Sequence, residues 1–507
     1  MGSQRKAGAA LGYVNIVVKN LVNLVYTPML LAFIGEGEYG VYQTSYQFVF
    51  SLQILSFGFS SAYVRFYTQR KVQDDEKGIR TLNGMYLMLY SVICIAAIAI
   101  GLVLSGLCGQ FFSSTFSAQE IDLAGIIMAI MTFNVATTLM STVFDAYIVS
   151  HERFSFQQTR QLLTTLAMPV LALVLLMLGM GAVGVSLAQL ATSLVLLGLN
   201  AAYAIGKLSM RFSIRGFDGN LFCALAAFSA WLFINQLTDL AVLNLPSVFL
   251  GALSGATTVA VFTIATQLRT LFVSISTTLS NVFVPQVNLM VANSSDDIEL
   301  TRLMTRIGRY QAILFCWVFG GFVLLGEWFV RVWAGEAFAD AYWITLITVA
   351  PLAIPLIQNV GIEIQRAKNK HKARSISYLV CALADLIITC ALAPKLGYWG
   401  AAIGCICYAI LGPGLFMNWY NQTQIGLDMG FFWKKIVPIF LSCALITMVC
   451  YLGTSLFPVV DLVSFLAWGA IYSLVYAAVI MLLVMDNSEK SLLIGKLENR
   501  LFRRDGC

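Results

Sequence analysis

Lys19 and Arg269 are basic residues set inside long apolar stretches, and the residues around them indicate what they could hold. Asn15, Lys19 and Asn23 follow one another at i, i+4 and i+8, which stacks them on one side of a helix otherwise built of Val and Leu. Around Arg269, the residues Thr266, Thr270, Ser276, Thr277 and Ser280 recur on one face in the same way. Asn235, Thr238 and Asp239 in a third stretch, with Gln43 and Gln47 in a fourth, complete a set of cations, amides and hydroxyls expected to line a wet cavity. Two cations among neutral hydrogen-bonding groups suit a phosphate or pyrophosphate with polar sugars beside it. The alternative is structural, with each cation pairing with Asp239 or Asp385 to pin helices together.

Two further acids call for a different role. Asp145 and Glu363 each lie within about a turn of a basic loop, and Glu363 precedes Arg366 by three residues, so a gate or a helix-end salt bridge is expected in preference to ligand contact. Asp385 is open to three roles: a proton site, an ion site or a counter-charge.

Other chemistry is missing. No Gly-x-x-x-x-Gly-Lys-Ser/Thr loop is present, so direct driving by ATP is not expected. The two histidines, His151 and His371, belong to no metal pattern, and the eleven cysteines contain no Cys-x-x-Cys pair. No metal, no cofactor and no enzymatic activity are expected, and the loops on the less basic side are too short for a catalytic domain.

The elements that must position these residues are membrane helices. Hydrophobic residues make up 59% of the chain and charged ones 11%, and the mean hydropathy is +0.81, against about 25% charged in a soluble domain. Apolar runs fall at residues 10–34, 41–66, 82–106, 121–149, 160–180, 182–206, 221–250, 257–291, 307–331, 343–365, 374–394, 399–423, 435–456 and 464–485. The expected fold is an all-α integral membrane protein of about fourteen transmembrane helices. The first run has no small-residue cleavage site and reads as a retained helix. Lys19, about ten residues in, would then sit about 15 Å deep, where facing lipid costs about 2.5–3.5 kcal/mol, so it should face protein or water.

Counting loops alternately puts about 27 of the 31 basic residues on one side, with Arg331 and Lys395 opposite. Both termini are therefore expected to be cytoplasmic, in a multi-pass protein. The net charge of +6 follows from this bias and implies no nucleic-acid partner, while the same residues should draw the protein to anionic lipid.

The chain also carries an internal duplication. The segment from Asn15 aligns without a gap on that from Asn235, so that Gly35 meets Gly255, Lys19 meets Asp239 and Gln47 meets Gln267. Asp145 falls opposite Glu363, and "GAVGVSLA" from Gly181 opposite "GYWGAAIG" from Gly397. Two pseudo-symmetric six-helix lobes are expected, 1–216 and 217–430, followed by two extra helices over 431–485 and a cytoplasmic tail over 486–507. In transporters built from such parallel repeats, the interface between repeats holds the substrate.

"GEGEYGVYQ" from Gly35, "GFSSAYVRFYTQR" from Gly58, "AYIVSHERF" from Ala146 and "IQRAKNKHKARSI" from Ile364 resemble the bacterial polysaccharide-biosynthesis flippases. That family belongs to the multidrug/oligosaccharidyl-lipid/polysaccharide (MOP) exporter superfamily, which also holds the multidrug (MATE) antiporters and the lipid II flippases. The resemblance runs over nearly the whole chain and implies two six-helix lobes around a central cavity in the bacterial cytoplasmic (inner) membrane. The cargo it implies is a polyprenyl-pyrophosphate-linked oligosaccharide, moved from the inner to the outer leaflet by alternating access. Lys19 and Arg269 would meet the pyrophosphate, and Arg65 would guard the cytoplasmic mouth or simply anchor the topology. Lipid bilayer, polymerase or export machinery and a coupling ion, H+ or Na+, are the further partners it suggests. Lipid II flippases carry several arginines in their first helices where this chain has only Lys19, which directs the expectation to surface polysaccharides. The competing expectation is a cation-coupled drug antiporter of the same superfamily, which calls for an acidic cavity and usually twelve helices.

Overall fold

The computed structural model describes residues 2–213, 219–281, 283–292, 296–370, 372–485 and 490. Arg215, His371, the boundary at 216/217 and, save Lys490, the expected tail over 486–507 lie outside the described residues.

Inside a bilayer no water can satisfy backbone N–H and C=O groups, so the apolar runs must close their hydrogen bonds internally as helices. Thirteen helical runs are long and apolar enough to cross a membrane among the described residues. The first, Val14–Val72, is really two helices, because Gly35 breaks it with φ 73° and ψ 174°. The fourteen are α1 (2–34), α2 (36–72), α3 (Glu76–Gly106), α4 (Ala118–Ser150), α5 (Phe154–Met177), α6 (Gly181–Lys207), α7 (219–254), α8 (Ala256–Asn281), α9 (Asp297–Ala334), α10 (340–367), α11 (Lys372–Leu396), α12 (Tyr398–Ile425), α13 (Met429–Leu456) and α14 (Leu462–Val484). No strand occurs among the described residues.

The backbone carries the duplication more clearly than the side chains do. Gly255, which the internal alignment sets opposite Gly35, has φ 89° and ψ 171°, and both breaks sit in a region of backbone space essentially open only to glycine. Gly181 and Gly397, the other aligned pair, also share a left-handed φ, 52° and 55°, Gly181 as the first residue of α6 and Gly397 immediately before α12.

By its internal contacts the chain divides into two compact units, Met1–Ile264 with Ser375–Cys407, and Ala265–Arg374 with Tyr408–Cys507. Helix α7, which begins the second repeat, therefore belongs by contact to the first unit. It meets α2 along its length. Phe57 stacks on Phe233 at 4.6 Å, and Gln47 Oε1 accepts a bond from Asn244 Nδ2. Near the Gly35 break, a Cβ on Gly40 would lie 1.9 Å from the Ala256 carbonyl oxygen, so α2 and the start of α8 meet backbone to backbone. Contacts this close are a main source of helix association where lipid is as apolar as the side chains.

In the second unit, α13 and α14 attach to α9 through polar bonds set in an apolar core. The hydroxyls of Tyr472 and Tyr476 donate to the carbonyls of Cys316 (3.2 Å) and Ile313 (2.7 Å). Arg309 donates to Lys435 O (2.9 Å), three residues before Pro438, and to Val484 O (2.8 Å) at the open end of α14, where helix carbonyls lack partners of their own. Lys370 likewise caps α12 through Gln424 O (2.6 Å), and Lys368 through Ile425 O (2.9 Å).

The loop count places Arg160 and Arg309 among the basic residues of one side, but both lie within helices and are 8% and 6% exposed, so basic residues other than Lys19 and Arg269 also sit inside the helical body.

Candidate functional site

In the first unit the residues expected to bind ligand divide into those bonded to neighbours and those left open. Each i+4 step turns a helix by about 40°, so Asn15 and Asn23 point about 80° apart and cannot act as one stripe. Asn15 is buried against α5, where its Nδ2 donates to Gln158 O (2.8 Å) and Gln158 Oε1 (2.7 Å). Asn235 Oδ1 accepts from Ser375 Oγ (3.0 Å) at the start of α11, and Gln47 is engaged by Asn244. These three amides join helices.

Lys19 and Asn23 are exposed. The apolar residues Val17 and Leu21 are also exposed about 160° around the helix from Lys19, and Val25 about 120° around it. Lys19 instead lies about 20° around the helix from Leu30 and about 60° from Ile34, which become buried further along α1. In a bilayer, α1 would thus turn its valine and leucine face to lipid and Lys19 away from it.

Asp239 is exposed on α7 immediately before the π-helical turn Leu240–Asn244, an irregularity that often marks functional positions. Asp385 is fully buried in α11. Thr389 Oγ1 lies 3.3 Å from its Oδ1, and a Cβ on Gly404 of α12 would come within 2.2 Å of that oxygen, so the carboxylate sits directly against the neighbouring backbone.

Asp145 forms an ion pair with Arg160 (2.7 Å), which also bonds Asn200 Oδ1, while Asn200 Nδ2 donates to Ser141 Oγ (2.8 Å). The result is a salt bridge that ties α4, α5 and α6 together near their basic ends. Arg65 is exposed at the same basic end, its guanidinium 4.6 Å from the centre of the Phe228 ring, beside an open groove of about 920 Å³.

In the second unit, Arg269 is 8% exposed. Ser276 and Ser280, expected beside it on an open cavity face, are instead buried in the helix packing. The Ser276 hydroxyl donates to Leu356 O (2.7 Å) and accepts from Gln311 Nε2 (3.2 Å), and Gln311 also reaches Ser280. Glu363 pairs with Arg366 (2.6 Å), a helix-end bridge at i, i+3.

Among the described residues neither Lys19 nor Arg269 forms an ion pair, and no group of three or more His, Cys, Asp or Glu side chains is placed to hold a metal. Sequence reasoning missed Gln158, Arg160, Asn244 and Gln311. For Gln158 and Arg160 the signal was the polar run "FQQTRQ", taken there as a loop although it opens α5.

A family model for polysaccharide biosynthesis proteins matches residues 6–288. The chain belongs to that family. Among solved structures the fold is similar to the lipid II flippase MurJ in an inward closed conformation, with a TM-score of 0.73 at 15% identity over 92% of this chain and 98% of that one. It is also similar to an inward-facing multidrug resistance MATE family transporter of the MOP superfamily, at TM-score 0.57 and 15% identity over 80% of this chain and 96% of that one. A MOP superfamily transporter from Pyrococcus furiosus matches at TM-score 0.53 and 14% identity, over 83% of this chain and 93% of that one. No curated protein sequence matches. At such identities the likeness shows the fold, and this member of the polysaccharide biosynthesis family is a multi-pass membrane protein with the MurJ and MATE architecture.

Proposed function

We propose that the protein is a flippase that moves polyprenyl-pyrophosphate-linked oligosaccharide precursors of a surface polysaccharide across the bacterial inner membrane, from the inner to the outer leaflet, by alternating access. Family membership and fold support a carrier of this kind. The observation that carries the cargo class is Lys19, a cation midway along α1 without an ion pair among the described residues. A cation at membrane depth without a counter-ion is costly, and an incoming anion removes that cost. Lys19 on α1 and Arg269 on α8 would each meet the pyrophosphate, the lipid tail would remain in the bilayer, and no cofactor would take part. Both termini would be cytoplasmic. Asp239 and Asp385 are the acids available to an H+ or Na+ drive.

The competing reading, a drug antiporter, would engage organic cations at those same acids. Proteoliposomes loaded in parallel with a fluorescent polyprenyl-pyrophosphate oligosaccharide and with an organic cation separate the two. Transfer of the lipid-linked sugar alone is the expected result, and transfer of the cation alone would overturn the proposal.

A further inference from the structure

The basic end of the first unit holds a polar pocket that neither the cargo nor the gate explains. Its volume is about 420 Å³, within the range of about 300–1,000 Å³ usual for small-ligand sites. It opens among the ends of α2, α3 and α4 and the segment that leaves α6. Its walls are built by hydrogen bonds that use nearly every neutral polar group present. Tyr147 Oη donates to Leu208 O (3.2 Å). His151 Nδ1 bonds Tyr147 O (2.8 Å), which places the ring proton there and makes Nε2 the acceptor for the Tyr67 hydroxyl (3.0 Å). Asn83 is fully buried and uses both ends of its amide, accepting from Tyr63 Oη (2.6 Å) and donating to Arg211 O (2.9 Å).

The segment 208–213, which leads out of α6 toward α7, is thereby strapped across the start of α3. Ser213 N donates to Arg80 O (2.9 Å), and a Cβ on Gly84 would lie 2.0 Å from Ser213 O, so the strap crosses α3 where that helix has no side chain. With the neutral groups satisfied, the groups left to face a ligand are charged. Arg211 makes no side-chain bond among the described residues, and Arg80 is bonded on one side only, to Glu76 at 3.1 Å. Glu76 is the single acid in the lining, and Lys207 lies close by in sequence.

We propose that this pocket binds a phosphate-type anion, either the phosphodiester head group of an anionic phospholipid or a soluble phosphate, clamped between Arg80 of α3 and Arg211 of the strap. Two guanidiniums with donors to spare match an acceptor-only ligand, and a basic recess between helix ends at the interface is where anionic head groups bind. The ligand would join the strap that connects the two repeats to the first of them. The site shares no residue with the proposed cargo contacts, and it holds whatever the cargo proves to be.

The test uses the full chain purified from membranes. Native mass spectrometry after exposure to phosphatidylglycerol or phosphatidylcholine vesicles reports retained lipid, and a titration with inorganic phosphate reports soluble-anion affinity. The variants are Arg80→Gln/Arg211→Gln, Arg211→Gln alone, and a charge-matched control at the same end, Lys77→Gln/Arg153→Gln. Binding should fall roughly tenfold or more in the double variant and by less in Arg211→Gln, while the control matches wild type. A fall confined to phosphatidylglycerol assigns the lipid head group, and a fall confined to inorganic phosphate assigns the soluble anion. Equal binding of both ligands by wild type, Arg211→Gln and the control overturns the proposal, even if the double variant fails to fold.

Discussion

Replacing Arg160 with Met tests whether the Asp145 bridge is structural. The substitution keeps most of the side-chain volume but removes the 2.7 Å bond to Asp145 and the bond to Asn200 Oδ1. Asn200 is 1% exposed, so its stranded carbonyl oxygen should cost about 1–3 kcal/mol. Breaking a fully buried ion pair costs about 3–5 kcal/mol in all. The Asp145 side chain retains 30% exposure, so water takes up part of the stranded charge, and a total of about 2–4 kcal/mol follows. Asp145→Asn keeps an acceptor for Arg160 but leaves that buried guanidinium without a counter-ion and should cost about as much, and in the double variant no charge is stranded. Unfolding of the four proteins in detergent micelles, combined as a double-mutant cycle, gives the coupling directly. A cost below about 0.5 kcal/mol for Arg160→Met, or strictly additive single effects, would show that the bridge holds nothing together. If the role is structural only, transport per folded molecule in Asp145→Asn stays at the wild-type level, whereas a gate would change it.

Three more outcomes are expected. Gly40→Val places a side chain where a Cβ already lies 1.9 Å from the Ala256 carbonyl oxygen, so the yield of folded protein on size-exclusion chromatography should collapse, while the same change at Gly106, which has open space, should not matter to packing. Arg309→Met frees the carbonyls of Lys435 and Val484, so a cysteine introduced on α14, which has none of its own, should become accessible to thiol-reactive probes before the rest of the second unit unfolds. Burial first, then the bond to Tyr147 opposing it, then Lys71 and Arg153, leave the His151 pKa below its ordinary 6.5. The folded protein therefore binds this proton less readily than the unfolded chain, and the stability it contributes is present above pH 6.5 and lost as pH falls through the folded value. The melting temperature should drop between about pH 7.5 and about pH 5.5, and His151→Asn should flatten that drop. An unchanged slope in the variant would assign it to other groups.

Helix count and repeat were legible in the sequence because both rest on the backbone. An apolar run of sufficient length must become a helix in lipid, and a glycine needed at positive φ survives at Gly35 and Gly255 while the side chains around it diverge. The candidate site was less legible. Spacing places a polar residue on a helix side but does not say which neighbour that side meets, so Asn15 reads like Lys19 although it serves Gln158. Counting basic residues cannot tell a loop from the first turns of a helix, which concealed Arg160. The "GEGEYGVYQ" and "IQRAKNKHKARSI" segments carry structural duties: Glu38 accepts from Ala182 N at the start of α6 (2.5 Å), and Lys368 and Lys370 close the end of α12. The contact of Asp385 with Gly404 pairs residues nineteen apart on two helices, a distance that only the tertiary fold makes short.

Charge at position 19 is the most direct probe of the proposed cargo. Translocation of a fluorescent polyprenyl-pyrophosphate oligosaccharide in proteoliposomes should be compared among wild type, Lys19→Arg and Lys19→Gln, at matched folded protein. Loss of one charge-assisted bond to the anion is worth about 1.5–3 kcal/mol, so Lys19→Gln should slow transfer about ten- to a hundredfold, with Lys19→Arg retaining most of the rate. Undiminished transfer by Lys19→Gln would contradict the assignment of this lysine to the pyrophosphate.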